Sequence, residues 1–416
     1  MELLYVLLVL LTVTRLFGEL AQRLGQPIIL GELIAGIALG MLVHSHAETF
    51  PVLDNLPHNE VFRGITDLSI FFLMLLAGLE LHPRDMVKGS GSALMIAVGG
   101  MFLPLGLGIT LAWWFIPDSE VHLAQSIFLG TALAVTAVPV SVKVLMDLDQ
   151  LNSRVGHTII SAAVIDDMLS LALLAVLTAV IENGVMPDAY GFFLVFGHVA
   201  LFFIIATLIG VYLFPLIGLL LKSTVAADFE FSALLVGALA YSLLAEAMGL
   251  HFILGPFFTG LFFLRGTVAP HIFHNVKSKL STCTTGLFAP VFFASIGMNL
   301  DLTAATEIPL FVLTLIAIAF FGKLIGAGLP AYLFGYTRRE SLAVGVGMSA
   351  RGAVELIIAD IALRAGIFNH PEPVPATVEY LFSAVVLMAV ITTLLTPLLL
   401  RPILSVCTKD GCPVDR

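Results

Sequence analysis

The sequence predicts an all-α integral membrane protein of about 13 transmembrane helices, and three observations predict it. Charged residues make up 12% of the 416 positions and hydrophobic residues 59%, whereas soluble globular domains carry about 25% charged residues. The mean hydropathy is +1.05, and the apolar character extends along the whole chain. The apolar residues come in runs of about 17 to 30, the length a helix needs to cross hydrocarbon, and not in the alternation over about 10 residues of a barrel strand. Only helices and closed barrels satisfy their backbone polar groups in lipid.

Taken in order, the segments fall at residues 3–20, 27–43, 64–82, 90–116, 122–146, 153–181, 191–221, 229–248, 251–266, 283–299, 307–335, 339–366 and 376–403. The first, LLYVLLVLLTVTRLFGEL, lacks a small-residue cleavage site and is expected to be a retained helix. Gly25-Gln26-Pro27 separates it from the second, His82-Pro83 ends the third and Ile116-Pro117-Asp118 ends the fourth. Pro139 removes a backbone donor inside the fifth. The sixth carries two acids, the eleventh carries Lys323, and Gly345, Gly347 and Gly352 weaken the twelfth around Ser349 and Arg351. No long polar linker divides the chain. Residues 1–404 are therefore expected to form one polytopic membrane domain, with 405–416 as a short tail.

Basic residues set the orientation. Fifteen of the 19, among them Arg23, Arg84, Lys88, Lys143, Arg154, Lys222, Arg265, Lys277, Lys279, Arg338, Arg339, Arg401, Lys409 and Arg416, fall on one side. Arg63 and Arg364 fall on the other, beside acids such as Glu48, Asp54, Glu60, Asp118, Asp188, Asp301 and Glu372. The basic side is expected to be cytoplasmic, with the N-terminus outside and the C-terminus inside, in the inner membrane of a bacterial cell. The net charge of −10 says little about partners, because most charges lie in short loops. Cys283, Cys407 and Cys412 are read as incidental, and Cys-x4-Cys alone makes neither a metal site nor a cytosolic disulfide. No cofactor is expected.

The chemistry resides in the charges left inside the spans. Asp166 and Asp167 lie in SAAVIDDMLSLALLAVLTAV, and ionised groups at membrane depth cost roughly 2.5–3.5 kcal/mol each even on the insertion scale. Such a pair implies a cation or a proton to bind. Adjacent helical residues project about 100° apart, so one acid can face a partner while the other faces an ion path, and the residues alone leave open which does which. Lys323 in IAIAFFGKLIGAGLP is too central to reach a surface. It is either a structural ion pair or a switch whose charge a nearby acid tunes. Thr131, Thr136 and Ser141 offer hydroxyls in the fifth segment. Two interrupted helices in corresponding positions of two halves point to a transport site, against the plainer account of ordinary Gly and Pro usage in membranes. Glu355, four residues after Arg351, is read as its i,i+4 partner. Glu32 and Glu80 are read as helix-end or packing carboxylates, Glu246 as a candidate outer-funnel residue and Asp360 as a candidate path residue. His271 and His274 make a weak metal pair without a third ligand.

The motifs LGELIAGIALG, LMLLAGLEL, VTAVPVSVKVL, SAAVIDDMLSL, EAMGLHFILGPFFTGL, PVFFASIGMNLDL, FGKLIGAGL and GMSARGAVELIIA, in this order, resemble the monovalent cation:proton antiporter family, with its sodium/proton antiporter-like fold. The resemblance implies inverted repeats, a rigid dimerisation domain, a homodimer, and a mobile core bundle with two crossed broken helices around Thr136 and Ser349. It implies Asp167 as the ligand of the transported cation, Asp166 and Lys323 as its paired neighbours, and Thr131, Ser349, Arg351 and Glu355 as compensation for the broken helices. The double Asp is similar to the electrogenic branch, which exchanges two protons for one cation. VTAVPV is closer to plant cation/proton exchangers, many linked to potassium, and Ala350 and Ala353 stand where many relatives have Pro and an acid. Sodium is favoured, with lithium and potassium open. Rival classes fare less well. An intramembrane aspartyl protease needs acids converging from different helices, a channel needs a filter, and a sodium-coupled solute symporter shares the general plan without proton exchange. The chain is not expected to be an enzyme.

Overall fold

The structure is a computed structural model that describes residues 2–46, 49–54, 56, 59–80, 91–136, 141, 145, 150, 153–183, 189–221, 229–263 and 270–405. Pro139, the loop cations Arg84, Lys88, Lys143, Lys222 and Arg265, the acids Glu48 and Asp188, and the tail with Cys407, Lys409, Cys412 and Arg416 lie outside the described residues.

Among the described residues every regular element is helical. The main helices are α1 (Glu2–Arg23), α2 (Ile28–Ser45), α3 (Glu60–Glu80), α4 (Gly91–Phe115), α5 (His122–Ala134), α6 (Arg154–Asn183), α7 (Ala189–Leu221), α8 (Phe229–Ala247), α9 (Leu254–Phe262), α10 (Pro270–Cys283), α11 (Ala289–Met298), α12 (Pro309–Leu333), α13 (Arg338–Gly347), α14 (Ala353–Arg364) and α15 (Leu381–Ser405). A π-helical turn, Thr284–Phe288, joins α10 to α11. Each of the thirteen predicted segments carries helix. Among the described residues eight stretches are long and apolar enough to cross a membrane, and Ile28–Val43 and Ala200–Leu216 are shorter apolar helices. The protein is an integral membrane protein.

Local chemistry explains the joints. Gly25 turns the chain between α1 and α2 with φ 73°, a left-handed conformation open to glycine. Thr337 and Glu340 form a reciprocal capping box that starts α13. One stretch departs from expectation: residues 270–282, predicted as loop, belong to α10, which runs through the π turn into α11. Its His, Asn and Lys residues hide it from a search for apolar runs. At the end of α4, Trp113 and Trp114 are 65% and 85% exposed, as befits rings seated at a membrane–water boundary.

The chain divides into two compact units, Met1–Pro83 with Pro187–Asn299, and Arg84–Met186 with Leu300–Arg416. In the first, α2 packs on α1 and α11, and α3 packs on α9. Arg15 stands 3.7 Å from the buried Glu32 and donates to the Thr285 carbonyl in the π turn. In the second, α4 packs on α5, α6 and α12, and α12 packs on α13 and α15. The order long helix, interrupted helix, long helix thus occurs twice there, as α4, α5, α6 and as α12, α13/α14, α15. The two long helices α4 and α12 touch backbone to backbone, because a Cβ on Gly99 would overlap the Gly326 carbonyl and one on Gly326 would overlap the Gly99 carbonyl.

Candidate functional site at two interrupted helices

Both interruptions lie in the second unit. Helix α5 ends at Ala134, and Val135 turns extended at φ −68°, ψ 146°. Helix α13 ends at Gly347, and α14 begins only at Ala353, with Gly352 extended at φ −163°, ψ −154°. A helix that stops inside a membrane leaves its last carbonyls without intrahelical donors, and lipid offers none.

Each broken segment supplies what the other lacks. The Arg351 guanidinium, from the second break, donates to the carbonyls of Ala132 at 2.9 Å, Val135 at 2.5 Å and Leu133 at 2.7 Å at the end of α5, and to Ala319 of α12 at 3.3 Å. Its planar fork suits several acceptors at once, and its charge meets the negative end of the α5 dipole. In return Thr136 Oγ1 donates to the Met348 carbonyl at 3.1 Å, and Ser141 Oγ donates to the Gly347 carbonyl, both at the end of α13. Thr393 of α15 closes the set by donating to the Arg351 carbonyl at 3.0 Å. Gly345 and Gly347 serve packing as much as flexibility. A Cβ would lie 2.6 Å from the Leu324 carbonyl at Gly345, and 2.7 Å from Ile159 Cδ1 at Gly347.

The acids and the lysine divide as adjacent helical positions must. Lys323 Nζ lies 3.1 Å from both carboxylate oxygens of Asp166, and both side chains are fully buried. Asp167 points elsewhere and is half-buried, with no hydrogen bond or ion pair to another described residue. It still feels the charges of Asp166 and Lys323. A buried pair of this kind is costly to break from one side, because the remaining charge is stranded.

The other candidate residues are placed as follows. Ser349 Oγ turns back to the Gly345 carbonyl at 2.8 Å, within its own segment. Thr131 is buried and its hydroxyl has no hydrogen-bond partner among the described residues. The expected Arg351–Glu355 pair is present as an i,i+4 ion pair without a hydrogen bond. Arg351 Nε stands 3.9 Å from Glu355, too far for a hydrogen bond, because the guanidinium is drawn to the carbonyls of α5. Asp360 sits 2.7 Å from Arg364 in the last turns of α14 and is engaged in a local pair. Glu246 is exposed. No group of three or more metal-ligating side chains occurs among the described residues, so His271 and His274 have no third ligand there. Sequence reasoning missed the Gln125 side chain, whose Nε2 donates to the carbonyls of Ile367 and His370 and ties α5 to the chain after α14. A buried Gln beside a run of small apolar residues was the signal for it.

Comparison with known proteins agrees with this architecture. The profile of the transmembrane sodium/hydrogen exchanger family matches residues 7–406. The chain is 31% identical over 390 residues to the Na(+)/H(+)-K(+) antiporter GerN of Bacillus cereus, covering 93% of this chain and 92% of that one. It is 27% identical to the Na(+)/H(+) antiporter of Enterococcus hirae, covering 96% and 98%. In structure it resembles the sodium proton antiporter MjNhaP1 from Methanocaldococcus jannaschii, with a TM-score of 0.62 at 18% identity over 96% of this chain and 97% of that one. With its family profile matched from one end of the membrane region to the other, the chain belongs to the sodium/hydrogen exchanger family and is a cation/proton antiporter homologue.

Proposed function

We propose that the protein is a secondary antiporter that exchanges a monovalent cation, sodium by preference, for protons. One observation carries the reading: Asp167 stands without an ion partner beside an Asp166–Lys323 pair that is already complete, on the helix α6 that packs on both α5 and α13. A lone carboxylate at membrane depth is stable with a proton or a cation on it and costly bare. Proton and cation therefore compete for Asp167, with the Thr136 oxygen as a second ligand, since its hydrogen is used on Met348 and its lone pairs stay free.

Two protons for one cation would move one net charge, worth about 2.3 kcal/mol per 100 mV of membrane potential. The exchange is proposed to be electrogenic and to drive sodium outward on inward proton flow. The recurrence of long, interrupted and long helices in the second unit supports an inverted repeat, and its compactness supports an elevator-like movement of that unit with the site inside it. The first unit is the candidate dimerisation domain of a homodimer. Residues 1–404 form the polytopic antiporter domain, in a bacterial inner membrane with the N-terminus outside and residues 405–416 in the cytoplasm. Potassium is the second candidate cation, favoured by the VTAVPV motif and by the name of the GerN relative.

The test is pH-gradient dissipation in proteoliposomes given sodium, lithium or potassium in turn. The wild type is expected to respond to sodium first, and Asp167→Asn to none of the three. Full activity in Asp167→Asn would remove the site assignment.

A further inference from the structure

Glu355 is fully buried in α14, and neither carboxylate oxygen has a hydrogen-bond partner. Its ion partner Arg351 makes its hydrogen bonds elsewhere. The terminal nitrogens of Arg351 bind four backbone carbonyls, and Nε remains 3.9 Å from Glu355. A buried carboxyl in that position carries a desolvation cost unless something other than the chain satisfies it.

Two hydroxyls of the same unit share its condition. Thr131 Oγ1 lies in the last turn of α5, next to the carbonyls that Arg351 holds, and Ser170 Oγ lies one turn beyond Asp166 on α6; both are buried without a partner. Helix α14 packs on α5, and α5 packs on α6. Three polar side chains without hydrogen-bond partners among the described residues therefore lie on three successively packed helices, α14, α5 and α6. Enclosed polar places of this kind hold water, and water between hydroxyls and carboxyls passes protons.

We propose that Glu355 is a second proton-carrying carboxyl of the exchange, connected by internal water beside Thr131 and Ser170. The inference rests on the antiport reading above. When a cation arrives, the Asp167 carboxyl gives up one proton and binds the cation, while the Glu355 carboxyl gives up another. Two protons leave, one cation is held, and no bond between heavy atoms changes. The charged groups that act on Glu355 are Arg351 on its own helix and Lys323 from α12, the latter paired with Asp166. Arg351 at 3.9 Å gives the ionised carboxylate a counter-charge without fixing it by a hydrogen bond. Glu355 is therefore placed to exist in both states.

The experiment measures protons moved per sodium ion, and the accompanying current, in proteoliposomes. The wild type is expected to move two protons per sodium. Glu355→Gln is expected to move one, with the current lost and sodium-driven proton movement retained. An unchanged ratio and current in Glu355→Gln overturns the proposal. A wild-type ratio of one overturns it while leaving antiport standing, and no sodium-driven proton movement in the wild type overturns antiport itself. Where Glu355→Gln does not fold, infrared difference spectra of carboxyl-labelled glutamate supply the decision. Sodium is expected to remove a protonated glutamate band in the wild type but not in Glu355→Asp; a loss in both, or in neither, overturns the proposal.

Discussion

Lys323 and Asp166 can be tested as a unit of charge. Each is fully buried and each is the other's ion partner at 3.1 Å, so Lys323→Met strands a carboxylate. We expect a loss of about 3–5 kcal/mol, read as a lower thermal midpoint in detergent, and partial recovery in the double variant Lys323→Met, Asp166→Asn. An unchanged midpoint in the single variant would show that water reaches the pair. Arg351→Lys keeps the charge but replaces a fork on four carbonyls with a point donor. Each charged hydrogen bond lost is worth about 1.5–3 kcal/mol, so Arg351→Lys should unfold at clearly lower temperature than the wild type. At this scale the sequence was informative about the charges themselves, because Asp166, Asp167, Lys323 and Arg351 interrupt apolar runs. It was silent about their acceptors. The hydrogen-bond partners of Arg351 are backbone carbonyls, which every residue carries, so they left no mark in the sequence, whereas its ion pair with Glu355 was legible from the i,i+4 spacing.

Among the elements, the contact of α4 with α12 is the most sensitive to substitution. Gly99 and Gly326 bring the two backbones into contact, and no side chain can be added without moving a helix. Gly326→Val should cost more than the about 1–3 kcal/mol of ordinary overpacking and shift Lys323, one turn away on α12, from Asp166. A variant that unfolds at the wild-type temperature with full exchange would contradict this. Helix positions were legible for apolar segments and much less so for α10, whose polar residues face outward from the run that follows. The breaks were legible as regions and displaced in detail. The glycines that drew attention, Gly345 and Gly347, lie inside α13 at close approaches, whereas the chain opens from Met348 to Gly352. Glycine marks both uses, and only the neighbouring backbone separates them.

Across the molecule, exchange should depend on pH and voltage in a stated direction. Lowering the pH weakens apparent sodium affinity, approaching about tenfold per pH unit where Asp167 alone starts protonated and about a hundredfold where Glu355 releases a proton as well. A sodium KM independent of pH across that range would exclude competition at a shared carboxylate. The division into two units was not legible from composition, because both are built from the same apolar helices. It became visible only through which helices touch. The reciprocal finishing of the severed helix ends also bears on selectivity. Since Ala132, Leu133 and Val135 already turn their carbonyls to a tethered guanidinium, a visiting ion would meet a positive charge beside those peptide oxygens. Under the proposed exchange, preference among alkali metals would then rest chiefly on a few hydroxyl and carboxyl oxygens, so that a single conservative exchange of side chains would retune the cargo while the scaffold stays as it is.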